Sequence, residues 1–163
     1  MKLPASFIDV WAPRDLSLLR IITGFLFISH GLQKILDFPV PRPEPIELLS
    51  LAGVAGLLEL FGGALILIGL FTRPVAFVLS GEMAFAYFIA HAPENFWPLI
   101  NRGELAVLYC FVFLYFAAAG AGPWSLDHWL ERRRDVVTER RSVTRKPPPR
   151  GAEQYAYQRS ARK

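Results

Sequence analysis

Cysteine is nearly missing from this chain. The single Cys110 excludes an intramolecular disulfide and any two-cysteine relay, and with them a four-helix disulfide-generating quinone reductase working alone. Metal-ligand spacing is missing too: His30, His91, Glu59, Glu82 and Glu104 are of the right residue types, but no H-x-x-x-H, E-x-x-H or two-cysteine arrangement occurs, and no metal is expected. No secretory leader is evident either. Asp9, Arg14 and Asp15 precede the first apolar run without a small-residue cleavage pattern, so Leu16 to Leu36 is expected to remain in the mature protein.

What is present in excess is apolar sequence. Hydrophobic residues make up 53% of 163 positions and the mean hydropathy is +0.31, too apolar for a soluble domain of this size. Four stretches carry the excess: Leu16 to Leu36, Leu48 to Phe71, Val75 to Ala92 and Leu105 to Ala119. At about 1.5 Å per residue the first two clear a hydrocarbon core of about 30 Å, and the last two need their flanks or a thin bilayer. Leu105 to Ala119 has no polar face of the kind a soluble bundle turns to water. The expected fold is all-α, a four-transmembrane-helix bundle.

The chain then divides into residues 1–15, an interfacial segment with Trp11 as an anchor; 16–123, the membrane domain; 124–137, a short amphipathic helix capped by Ser125; and 138–163, a basic tail read as disordered from Arg145 onward. Asp37 to Glu47 is proline-rich and stiff, while Gly69 to Pro74 is a tight turn. Ala52, Gly56 and Gly63 form a small-residue stripe on the second span with Glu59 at its edge, so Glu59 is expected to face a neighbouring helix. Four spans place both ends on one side of the membrane. The arginines of the tail, with Lys2, Arg14 and Arg73, make that side the cytoplasm. The tail is expected to meet anionic lipid; nucleic acid is not an expected partner.

The functional candidates are polar groups in apolar surroundings. A carboxylate at a helix centre costs about 3 kcal/mol on translocon scales, so Glu59 and Glu82, both near mid-membrane, need a reason to be there. Toward the outer end lie His30, Gln33, Lys34, His91, Asn101 and Glu104; His30, Gln33 and Lys34 share one patch by helical spacing. His91 stands nine residues from Glu82, on the opposite side of a regular helix, so the two share a face only if the helix ends near Ala90. One reading is structural, with Glu59 paired to Lys34 or Arg20. Another is a quinone or similar redox molecule exchanging protons with His30 or Glu82, against aromatic surface from Phe85, Tyr87 and Tyr109. A third is a route for a small solute or proton, or a scaffold whose partner does the chemistry.

The ordered motifs Leu19-Arg20-x3-Gly24, Phe27-x2-His30-Gly31-x-Gln33-Lys34, Gly56-x2-Glu59-x2-Gly62-Gly63, Gly69-Leu70-Phe71-Thr72-Arg73-Pro74, Glu82-Met83-x3-Tyr87-Phe88, Asn101-x-Gly103-Glu104-Leu105 and Gly122-Pro123-x-Ser125-Leu126-Asp127 resemble the DoxX family of small bacterial and archaeal four-helix membrane proteins. The likeness covers about Leu16 to Leu130 and omits the tail. It implies a multi-pass protein of the cytoplasmic membrane in a redox neighbourhood, quinone-linked or thiol- and sulfur-linked, including oxidative stress, and at most a subunit of a membrane oxidoreductase. The expected cofactor is a quinone, and the expected partners are the bilayer, a soluble or membrane redox protein, and further copies of the chain. Glu82, Glu59 and His30 are the candidate catalytic groups; Gln33, Lys34, Tyr87, His91, Asn101 and Glu104 are the candidate cofactor-binding groups. The alternatives are a membrane scaffold for a soluble enzyme or a small-solute or proton permease.

Overall fold

The structure, a computed structural model, describes residues 5–43 and 46–144, which contain helices and no strand. Helix α1 (Ala5–Leu36) continues through Pro13, whose carbonyl accepts a 3.2 Å hydrogen bond from the Ser17 hydroxyl. At 32 residues it reaches about 48 Å, so one helix carries both the segment expected at the interface and the first apolar stretch. Helix α2 (Leu51–Ile68) starts where the Ser50 hydroxyl accepts the Gly53 N–H at 3.1 Å and stops at Gly69, whose φ of 68° suits a residue without a Cβ.

Helix α3 (Thr72–Ala86) passes into one π-helical turn (Tyr87–His91). A single turn, α4 (Pro98–Asn101), precedes α5 (Glu104–Ala119), and α6 (Leu126–Thr144) follows. Among the described residues three helices are long and apolar enough to cross a membrane, Phe7–Leu36, Leu51–Ile68 and Thr72–His91; the apolar Glu104–Ala119 is shorter. Phe25, Phe61, Phe77, Phe85, Phe88 and Phe111 are exposed, which suits a surface solvated by lipid.

Glycines set the closest approach in the bundle. A Cβ on Gly24 would stand 2.6 Å from the Leu67 nitrogen and 2.9 Å from the Gly63 carbonyl oxygen; one on Gly31 would stand 2.5 Å from the Leu60 nitrogen and 2.9 Å from the Gly56 carbonyl oxygen. Gly24 opposite Gly63 and Gly31 opposite Gly56 fix α1 and α2 in antiparallel register, backbone against backbone. The small-residue face is offset from the expected one: Ala52 is exposed and Gly53 is buried, in line with Gly56, Glu59, Gly63 and Ile66. On the other side of α2, Gly62 receives Leu79 of α3. Phe27 of α1 meets Phe113 of α5 edge-on, 4.7 Å between ring centres, and Ile66, Leu79, Met83, Tyr109 and Phe116 complete the apolar centre.

One end of the bundle is closed by side chains that satisfy helix termini. Arg20, fully buried, donates to the carbonyls of Ile66 (2.5 Å) and Leu67 (2.6 Å) at the end of α2, and to those of Ala121 (2.8 Å) and Trp124 (2.6 Å) in the loop before α6. Asp127 accepts the Phe71 and Thr72 N–H groups at 2.8 and 2.9 Å, capping α3 from a distant part of the chain and supporting Phe71 at φ 50°. Arg73 donates to the carbonyls of Ala117 (3.1 Å) and Ala118 (2.5 Å) near the end of α5. The chain forms two compact units, Met1–Trp129 and Leu130–Lys163. Of the expected tail, residues 138–144 are helical in α6, while 145–163, with the expected disorder, lie outside the described residues.

Candidate functional site

The sequence candidates separate into two groups. The first lies within the bundle and draws on all four apolar helices. Glu59 of α2 is only 3% exposed, and its Oε1 accepts a 2.6 Å hydrogen bond from Lys34 Nζ of α1. Gly56 makes this pair possible: a methyl group there would come within 2.8 Å of the Lys34 Cβ, so the lysine stem crosses α2 over the glycine and reaches Glu59. The Lys34 side chain keeps 29% exposure, so the pair has one buried and one partly exposed member.

Glu82 of α3 adds a second carboxyl group. Both of its oxygens are buried without a hydrogen-bond partner in the protein, as is Glu59 Oε2. Glu82 stands within electrostatic reach of Glu59 and Lys34, and Tyr109 of α5 stands within reach of Glu59. His30 of α1, half-buried, meets the Tyr109 ring edge-on with centres 6.0 Å apart. Of the two structural partners open to Glu59 in the sequence, Lys34 is the one it has; Arg20 is engaged at the opposite end of α2. Gln33 is half-buried beside Lys34 in the chain.

The second group holds the loop between α3 and α5. Tyr87 donates its hydroxyl to the Phe96 carbonyl. His91 Nδ1 is 3.0 Å from the Asn101 carbonyl oxygen, and the buried Asn101 side chain donates to the Asn95 carbonyl (2.5 Å) and accepts the Gly103 N–H (2.8 Å). His91 lies in the π turn and bonds the loop. The helix does not end at Ala90; it widens, with the Ala92 N–H bonded to the Tyr87 carbonyl at 2.8 Å, and His91 turns toward the loop. Glu104 is exposed in the first turn of α5, where the helix dipole favours a carboxylate.

Three participants were not legible as polar contacts. Tyr109 reads in the sequence as aromatic surface and is the contribution of α5 to the cluster. Arg20 and Asp127 are far from their partners along the chain; the available hint for Asp127 is that Phe71 and Thr72 start α3 without a side-chain cap of their own.

The cluster makes a small charged site: one ammonium, two carboxyl groups, an imidazole and a phenol in an apolar bundle. Such a set can donate to and accept from a polar ligand, and it can hold or pass a proton.

Comparison with known proteins gives the same region. The DoxX family model matches residues 16–92, which contain His30, Lys34, Glu59 and Glu82 but not Tyr109. An uncharacterized protein of Haemophilus influenzae is 42% identical over 131 residues, spanning 74% of this chain and 94% of that protein. An uncharacterized membrane protein of Mycobacterium tuberculosis is 29% identical over 139 residues, spanning 74% of this chain and 84% of that one. No solved structure matches the chain.

Proposed function

The chain belongs to the DoxX family and is a membrane protein, and from that premise we propose that it is a membrane component of a quinone-linked redox system, with its polar cluster as the quinone site. In this reading Glu104–Ala119 is the fourth span, both termini are cytoplasmic, and the membrane is the cytoplasmic one. The observation that carries the proposal is that α1, α2, α3 and α5 each place a polar side chain in one cluster: His30 and Lys34, Glu59, Glu82, and Tyr109. Polar groups in a bilayer are costly, and five of them gathered at one point favour a site or a pathway there.

The fit to a quinone rests on the Lys34 ammonium, which has N–H groups beyond the one given to Glu59, and on the unpartnered oxygens of Glu59 and Glu82, which can carry a proton to or from a ring oxygen. Lys34 would hold a ring oxygen, Glu82 would hold or give up a proton, and Tyr109 with Phe27, 5.3 Å between ring centres, would provide the apolar wall. A bound quinone supplies two-electron, two-proton chemistry that no residue of this chain has by itself. The remaining polar candidates, Tyr87, His91 and Asn101, keep the α3–α5 loop in place over the bundle end.

The test is extraction of bound lipid-soluble cofactors from purified protein, read by mass spectrometry, with Glu82→Gln alongside. Quinone near one per chain in the wild type and a clear loss in the variant support the reading. Absence of quinone from both overturns it and favours the scaffold reading, for which α6 offers a charged helix with Arg132 and Arg134 exposed.

A further inference from the structure

The donors and acceptors of the cluster are unbalanced. Lys34 Nζ is directed at Glu59 Oε1, whereas Glu59 Oε2, Glu82 Oε1 and Glu82 Oε2 are buried with no donor in the protein. Glu59 is 3% exposed, so its free oxygen is not left to bulk water. A single proton shared by the two carboxyl groups would pair two of these three oxygens and leave the third. The missing groups are donors, not acceptors, and a ligand that completes the site must bring them.

From this asymmetry we propose that the site discriminates by redox form, binding a hydroxyl-bearing aromatic ring, a hydroquinone, in preference to the oxidised ring whose carbonyls only accept. The inference rests on the quinone-site reading above and adds to it which form the residues favour. A ring hydroxyl donates to Glu82 or to Glu59 Oε2 while its oxygen accepts from a further N–H of Lys34, whereas a ring carbonyl accepts from Lys34 and leaves the carboxyl oxygens without a donor. Hydrogen bonds to charged groups are stronger than those between neutral ones, and an unmatched buried acceptor carries a penalty, so both effects favour the same form. The proposal concerns affinity and includes no electron transfer.

Lys34, 29% exposed where its partner Glu59 is buried, is one place at which a ligand reaches the cluster. Glu82 is the residue that sets the preference. Replacing it with glutamine removes the carboxylate and one of its two acceptor oxygens, so a ring hydroxyl loses its charged partner there.

The experiment is equilibrium binding of decylubiquinol, kept reduced under anaerobic conditions, and of decylubiquinone to the full chain in detergent. The wild type should bind the reduced form at least about tenfold more tightly. Glu82→Gln should cut that ratio to near one, mainly by weakening binding of the reduced form. Circular dichroism and elution volume of the variant identify a folding failure, and Glu59→Gln serves as the second variant, expected to move the ratio the same way. Binding of both forms with equal affinity, or a preference for the oxidised form in the wild type, overturns the inference and leaves the quinone site standing. Binding of neither form overturns both.

Discussion

Lys34 and Glu59 show how a buried pair depends on its surroundings. Removing one partner of a buried ion pair leaves the other uncompensated and costs about 3–5 kcal/mol in soluble proteins. Lys34 is 29% exposed and Glu59 is not, so the two deletions are unequal: Lys34→Met strands a buried carboxylate, while Glu59→Gln leaves an ammonium that can turn outward. Thermal unfolding in detergent should show Lys34→Met as the larger loss and the double variant as more stable than Lys34→Met alone; a strictly additive cycle would remove the energetic coupling assigned to the pair. Arg20 belongs to the same scale. Its guanidinium satisfies four carbonyls from two parts of the chain, a planar fork that an ammonium cannot reproduce, so Arg20→Lys should destabilise by about 2 kcal/mol or more in the same assay. A midpoint unchanged from wild type would show those contacts to be incidental.

Between helices, the glycines act by what they omit. Gly24 and Gly31 face backbone atoms of α2, which cannot step aside as a side chain can, so Gly24→Ala or Gly31→Ala forces α1 and α2 apart. Overpacking of this kind costs about 1–3 kcal/mol, and here it would also carry Lys34 away from Glu59. Gly81 is the internal control, with nothing within 4 Å of an added Cβ, and Gly81→Ala should be neutral or stabilising by up to about 1 kcal/mol through helix propensity. Equal effects at Gly31 and Gly81 would contradict the register described here. The π turn operates at the same scale. By widening at Tyr87–His91, the end of α3 commits Tyr87 and His91 to the loop and leaves Glu82 as the α3 contribution to the cluster.

For the molecule as a whole, the polar cluster and the lock of Arg20, Arg73 and Asp127 occupy different parts of the bundle. The lock ties the ends of α2 and α5 and the start of α3 together, so Asp127→Ala should lower the thermal midpoint, exposing two N–H groups and an unsupported left-handed Phe71, without altering the ligand preference set by Glu82. The proposed topology has its own check. With Cys110 replaced by serine, a cysteine introduced at Glu94, in the loop between α3 and α4, and one at Glu131, in α6, should react with a membrane-impermeant maleimide from opposite sides of sealed cells, Glu94 from outside. Labelling of both from one side would overturn four spans.

The amino-acid sequence by itself determined the apolar helices, the turns between them and the family, because hydrophobic length, proline and glycine act locally and can be read residue by residue. It also marked Glu59 and Glu82 as costly enough to need a purpose and His30 and Lys34 as polar groups near them. The tertiary structure decided which of the polar residues meet. Sequence spacing left Glu59 two possible partners, and the close approach of α1 and α2 over Gly31 and Gly56 selected Lys34. Spacing placed His91 opposite Glu82 unless the helix ended near Ala90, and one widened helical turn instead bonded His91 to the loop at Asn101. Tyr109, Arg20 and Asp127 gained their roles from contacts across about 50 residues or more of chain, and such contacts depend on helix register and rotation, which residue type and spacing leave open.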